Sequence, residues 1–205
     1  MKVDEPSTSD HEAAIARLLR DWGLWRDTAR WEELRQSFAP NARMKTTWFD
    51  GTAEDFVDAS MRASATGAQV LHAMGPSTIH IRADRAIAET RVTLLLRDQL
   101  DGVEIDVTCY GRFIDLLVKR SGRWALLTRT PIYEKDCLVP SRPGRAPQLD
   151  ESALAKYPSG YRHLAYLQSR RGATVQMDIP AHNSDQQRQL YQASWAWLEN
   201  ITDAS

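Results

Sequence analysis

An α+β fold, with a curved antiparallel sheet wrapped around helices, is what the sequence predicts, and three observations predict it. Apolar residues recur at three- and four-residue spacing from Ala14 to Met61, as helices require. From Gln69 onward the period switches to two, in runs rich in Val, Ile, Leu, Thr and aromatics. Asp101-Gly102 and Ser121-Gly122 separate the later runs as tight hairpin signals, so consecutive strands should pair antiparallel. Helices first and a long meander afterwards define the class.

Each element has its own signal. Ser9 followed by Glu12 reads as a capping box, and Ala14, Ile15, Leu18, Leu19, Trp22 and Trp25 give an amphipathic helix from residue 11 to about 27. A second helix is expected from Arg30 to Phe38, with Trp31, Leu34 and Phe38 on one side and Pro40-Asn41 as its end. Ala42 to Phe49 reads as a strand and Asp50-Gly51 as a turn. Thr52 then caps a third helix that buries Phe56, Val57 and Met61. Strands are expected at about 69–82, 86–98, 103–119 and 123–134. The third of these is too long to stay flat, and Gly111 is the expected bulge or kink.

Residues 139–149 carry three prolines and a glycine and read as a connector. Beyond it, Leu154 to Leu167 suit a helix interrupted near Pro158-Ser159-Gly160. Val175 to Ile179 suit a short strand, and Gln186 to Leu198 a helix bearing Leu190, Tyr191, Trp195 and Leu198. The expected division is a body over residues 1–138 and an extension over 139–205. The extension is too small to fold alone and must pack on the body or on a second subunit.

Composition narrows the function. The 205 residues are 42% apolar and 26% charged, enough to bury a sizeable core. Twenty-six basic against 27 acidic residues leave a net charge of -1, so no global field favours nucleic acid or an anionic membrane. Met1 to Asp10 is polar, no run approaches a spanning helix, and the two cysteines, Cys109 in a strand pattern and Cys137 in a loop-like stretch, form no framework. A cytoplasmic setting is the expectation, which leaves the Asn200-Ile201-Thr202 sequon without a role. Seven of the seventeen aromatics are tryptophans, large rigid surface suited to cores and ligand pockets alike.

No glycine-rich phosphate loop, His-Glu-x-x-His, Cys-x-x-Cys or Gly-x-Ser-x-Gly occurs, and no ligand set suggests a metal, nucleotide or redox cofactor. An enzyme that only moves protons needs a base, a group to orient it and a dry pocket. Glu104 and Asp106, side by side on one strand face after a hairpin turn, read as solvated rather than as such a pair.

Four segments in order carry a resemblance. They are Leu24-Trp25-Arg26-Asp27-Thr28-Ala29-Arg30-Trp31-Glu32-Glu33-Leu34 with Phe38-Ala39-Pro40-Asn41-Ala42; His72-Ala73-Met74-Gly75-Pro76 leading to Ile79; Tyr110-Gly111-Arg112-Phe113-Ile114-Asp115; and Ser121-Gly122-Arg123-Trp124-Ala125-Leu126 with Arg129. Together they resemble the SnoaL-like branch of the nuclear-transport-factor-2-like superfamily over residues 10–138 or so. The resemblance implies a cone-shaped α+β barrel enclosing a pocket, and relatives that include polyketide cyclases, scytalone-dehydratase-like enzymes and a dehydrochlorinase.

It also implies residues. Asp27 takes the place of the superfamily's aspartate after the first helix, and His72 that of the histidine opening the next strand. Trp22, Trp48, Tyr110 and Arg129 are the substrate-binding candidates. A neutral imidazole can take a proton, and a carboxylate on its other nitrogen fixes the tautomer and stabilises the imidazolium. Asp27 lies roughly 140° around the helix from Trp22, off the apolar stripe. It enters the cone only if the helix ends there and the chain turns inward; otherwise it ends the helix in water. Trp22 stands where dehydratases of the superfamily often carry a tyrosine, so Tyr110 or Tyr133 would have to supply a phenol. His80 shares strand parity with His72, but Gly75-Pro76 lies between them. Tyr161-Arg162-His163 reads as interface or lid.

The function expected on this basis is a cofactor-independent lyase or isomerase acting on a hydrophobic, cyclic or aromatic molecule, in a homodimer. The alternative is a non-catalytic ligand-binding or scaffold subunit of the same fold. Trp31 and Trp124 are expected in the core, Trp22, Trp25 and Trp48 in the cone's walls, and Trp195 and Trp197 largely buried against the body or a partner.

Overall fold

A computed structural model describes residues 6–65, 67 and 69–200; the first five residues of the polar amino-terminal stretch, and Ile201 and Thr202 of the sequon, lie outside them. Helix α1 spans Thr8–Asp27, α2 Trp31–Gln36 and α3 Ala53–Ser64. The capping box is Ser7 with Asp10, not Ser9 with Glu12: the Ser7 hydroxyl oxygen accepts the Asp10 N–H, and the Asp10 carboxylate accepts the Ser7 N–H. The helix therefore starts earlier than the apolar spacing suggested. Thr52 caps α3, which buries Phe56, Val57 and Ser60 and leaves Met61 exposed.

Six strands follow the order β2-β1-β6-β5-β4-β3 in one curved, unclosed sheet: β1 Phe38–Lys45, β2 Asp50–Thr52, β3 Gln69–Arg82, β4 Arg85–Leu100, β5 Val103–Arg120 and β6 Arg123–Pro140. All pairs are antiparallel except β1 with β6. Asp101-Gly102 and Ser121-Gly122 turn with positive φ at both residues, 50° and 77°, 47° and 77°, the conformation that matches strand twist. Pro40-Asn41 does not end a helix; Asn41 takes φ 60° and the register of β1 against β6 shifts there, so the pair forms an irregularity inside a strand that starts at Phe38. Asp50-Gly51 belongs to β2, and the reversal lies at Thr46–Phe49, where the Thr46 N–H reaches the Phe49 carbonyl at 2.7 Å. Pairing with β5 carries β6 through Cys137 to Pro140, beyond the run read from the sequence.

Alternation sorts the side chains. Ile15, Leu19 and Trp22 of α1 and Phe56 and Val57 of α3 pack into the concave face against Ala86, Ala88, Val92, Phe113, Leu117 and Leu126. Each such aliphatic side chain contributes on the order of 1.5–3 kcal/mol by leaving water.

The chain after β6 packs against both faces, the outer one only in part. Helices α4 (Glu151–Leu154) and α5 (Arg162–Arg170) lie over Ile105, Val107, Cys109 and Tyr133, the inward residues of the distal sheet. Helix α6 (Asp185–Glu199) packs Leu198 against the outward Ile87, Ile114 and Ile132. Between them, residues 175–179 form no strand; only Ala181 bridges Tyr133, because Pro180 has no N–H and α6 begins soon after. Trp195 is 39% exposed, its ring 4.7 Å from His80, and Trp197 is half-buried beneath Arg85, so the body alone does not largely bury this pair. Helix α6 docks through Leu198 instead. Among the described residues no helix is long and apolar enough to cross a membrane.

The strand bulge at Tyr110/Gly111 has no room for a side chain: a Cβ on Gly111 would lie 2.4 Å from the Ile132 carbonyl oxygen. Gly111→Ala should therefore cost about 2 kcal/mol or more. Urea denaturation would show it as a lowered midpoint at unchanged slope.

Candidate active site

The site begins where α1 crosses the edge strand β3. Gly23 faces that strand, and a Cβ there would lie 2.7 Å from Met74 Cγ. One helical turn later Asp27 points the same way, which is how a residue off the Trp22 stripe still enters the fold. Helix α1 ends at Asp27, and Ala29 takes φ 57° as the chain turns inward. The Asp27 carboxylate meets His72 twice: the His72 N–H donates to Oδ2 at 2.6 Å, and ring Nδ1 lies 2.6 Å from Oδ1. The two side chains are 8% and 12% exposed. Nε2 of His72 has no hydrogen-bond partner among the described residues.

His72 opens on a small chamber of about 80 Å³, walled by Trp22, Phe56, Val92, Phe113 and Tyr133. The Trp22 ring meets the His72 ring edge-on at 5.5 Å and stacks with Phe56 at 6.1 Å. Trp48 reaches the chamber because it sits in the tight β1–β2 reversal, 5.9 Å from the Phe56 ring. Arg26, Trp48, Val70, Leu96 and Gln168 also line a larger vestibule of about 530 Å³, completed by Trp31, Asp98, Leu167 and Arg171. Trp31, expected in the core, thus packs against it and also faces the vestibule, whereas Trp25 lines neither chamber.

Two substrate-binding candidates lie elsewhere. Tyr110 points to the outer face, 39% exposed under Lys135, because it pairs with Thr93 one position out of phase with the inward Leu94 and Val92. Arg129 is buried beneath the chamber, paired with Asp115 at 2.7 and 2.8 Å, and its guanidinium lies 4.1 Å from the Trp22 ring and 4.4 Å from that of Phe113. It supports the wall and does not line the space. Burial drives the Asp115 pKa upward, against those two charge-assisted bonds. Tyr133 is the phenol that shares the chamber with His72, and burial pushes its pKa up, so it is held protonated. The irregularity between Met74 and Ser77 turns His80 outward, away from His72. Asp106 is chelated by Arg97 and Glu104 bonds Ser141, apart from the cavity.

The extension contributes a second Asp–His contact: His163 Nδ1 lies 2.9 Å from Asp136 Oδ1, while Oδ2 accepts the Leu164 N–H at 2.8 Å. That contact fixes the start of α5, which supplies Leu167 and Gln168 to the vestibule, and Arg171, just past its end, joins them. Gln168 and Arg26 were not singled out from sequence. A signal for Arg26 existed, since it continues the buried stripe of Ile15, Leu19 and Trp22. No such signal marked Gln168. Among the described residues no group of three or more His, Cys, Asp or Glu is placed to hold a metal ion.

The chain is similar to known proteins in sequence and in fold. The SnoaL-like domain family model matches residues 7–130. Pea pathogenicity protein 2 of Fusarium vanettenii is 34% identical over 196 residues, covering 90% of this chain and 84% of that protein. A provisionally named scytalone dehydratase from Novosphingobium aromaticivorans superposes with TM-score 0.55 at 21% identity, over 66% of this chain and 95% of its own. A type 2 hexachlorocyclohexane dehydrochlorinase does so with TM-score 0.55 at 14% identity, over 68% and 95%. At such identities the likeness of these two structures is one of fold.

The floor offers a stability test. Asp115→Ala would leave Arg129 buried without its counter-charge, which should cost about 3–5 kcal/mol. A thermal melt should show the loss, and an unchanged melt would mean that Arg129 is not held as described.

Proposed function

We propose, since the chain belongs to the SnoaL-like domain family, that it is a small-molecule lyase or isomerase that works by proton transfer between His72 and a hydrophobic cyclic or aromatic substrate. The observation that carries this reading is the doubly bonded Asp27–His72 pair at the wall of an aromatic chamber. With Nδ1–H donated to Asp27, the lone pair of His72 is on Nε2, which has no hydrogen-bond partner among the described residues. That nitrogen takes the proton, and Asp27 stabilises the imidazolium. Tyr133 is the phenol available to protonate a leaving oxygen or to bond a carbonyl. Trp22 and Trp48 hold the rings of the substrate, while Trp22, Phe56 and Phe113 keep water from the base.

Three further parts belong to the same proposal. The cone spans residues 1–138, and the extension from 139 acts as its lid, as the vestibule lining from α5 suggests. A homodimer is supported by the exposed apolar residues Leu71, Leu95, Tyr110 and Val139 on the outer face that α6 leaves uncovered. A cytoplasmic setting is supported by a free, exposed thiol at Cys137.

A second reading, a binder that does not convert its ligand, is favoured by one observation: the space beside His72 is only about 80 Å³. Turnover separates the two. His72→Gln and Asp27→Asn should each lower kcat about 10²- to 10⁴-fold once a substrate is assayed. Full activity in both variants would remove the mechanism, and ligand recovered unchanged from the native protein would favour the binder. For the dimer, Leu95→Lys should halve the mass measured by sedimentation.

A further inference from the structure

The vestibule contains a cation that the proton-transfer chemistry does not use. Arg26 sits on the buried stripe of α1, is 8% exposed and lines both the vestibule and the chamber of His72. Charges this deep are normally paired. The other vestibule ions are engaged: Arg171 pairs with Asp98, and both oxygens of Asp27 bond His72. The Arg26 guanidinium has no ion pair and no hydrogen bond among the described residues; its close contact is the Trp31 ring, 5.8 Å from its centre. Burial works against its charge and nearby Asp27 works for it, without reaching ion-pair distance. An arginine stays protonated even so, and it stands with its donors unspent in a space whose apolar wall is Trp31, Trp48, Leu96 and Leu167 and whose other charged groups, Asp27, Asp98 and Arg171, are already engaged.

We infer that Arg26 is the anchor for an anionic oxygen on the substrate, so that the ligand class is an aryl or polycyclic molecule bearing a carboxylate or an ionised hydroxyl. The planar fork of a guanidinium suits a carboxylate with two parallel bonds. The apolar rings would lie against Trp48 and Leu96, with the reacting carbon toward His72. This deepens the proposed function and rests on its assignment of the cavity, but the anchoring can be tested without any turnover.

The experiment is calorimetric titration of the full chain with 2-naphthoate and with its neutral isostere 2-naphthamide at pH 8. The native protein should bind the acid at least about tenfold more tightly, the size expected of a buried charge-assisted bond. Arg26→Gln should bring the ratio to within about twofold while leaving the affinity for the amide in place. Arg26→Lys, which keeps charge and loses the fork, should retain about a threefold preference. His72→Gln should keep the native preference, so a failed base assignment would not disturb this result. Equal affinities in the native protein, a preference that survives Arg26→Gln, or a preference lost in His72→Gln would overturn the proposal. So would the absence of binding by either compound at millimolar concentration. The native comparison does not depend on any variant folding.

Discussion

Everything in the cavity depends on one carboxylate. Asp27 ends the first helix and accepts two bonds from His72, one from the backbone and one from the ring. The backbone bond occupies an N–H on the edge of the sheet, which would otherwise face water or another chain. The ring bond sets the imidazole's direction. A single side chain thus joins helix to sheet and orients the imidazole, and the close approach at Gly23 one turn earlier makes the distance short enough. Joining the elements and orienting the ring coincide in this contact, because both come from the same carboxylate.

The surroundings make that contact count. Trp22 shields the pair, and it is held from behind by Arg129, whose charge is balanced by Asp115 in the floor. Removing water raises the worth of every charge inside, which is why an Arg26 without an ion pair among the described residues is chemically conspicuous in the same space. The carboxyl-terminal extension completes the enclosure. Without α5 the inward face of the distal strands would be open; with it, Leu167 and Gln168 become part of the wall. The outer face is covered only in part, by α6 at Ile87, Ile114 and Ile132.

Much of the scaffold was legible in the chain because its signals are local. Period-two runs, two hairpin turns and the bulge at Gly111 all depend on neighbours in sequence, and the strands match them closely. Errors fell where long-range pairing overrode a local sign. Pro40-Asn41 looked like a helix end but sits inside a strand held by β6. Cys137 looked like loop but is paired with Thr108. Trp195 and Trp197 are apolar enough to suit burial against the body or a partner, and docking through Leu198 leaves them nearer the surface of this chain.

The cavity divides differently. Family resemblance selected Asp27 and His72, and composition selected the tryptophans, but neither could say which side chains share a space. Strand parity put Tyr110 outside and Tyr133 inside, since one residue of register reverses a side chain's face. Arg26 continues the buried stripe of α1, yet its lack of an ion pair among the described residues is a fact about the whole enclosure. The amino-acid sequence by itself determined the element order, the curvature and the fold class, because periodicity and turn chemistry act over a few residues. Only the tertiary structure decided which groups meet, because meeting depends on register, on helix crossing and on where a distant segment comes to rest.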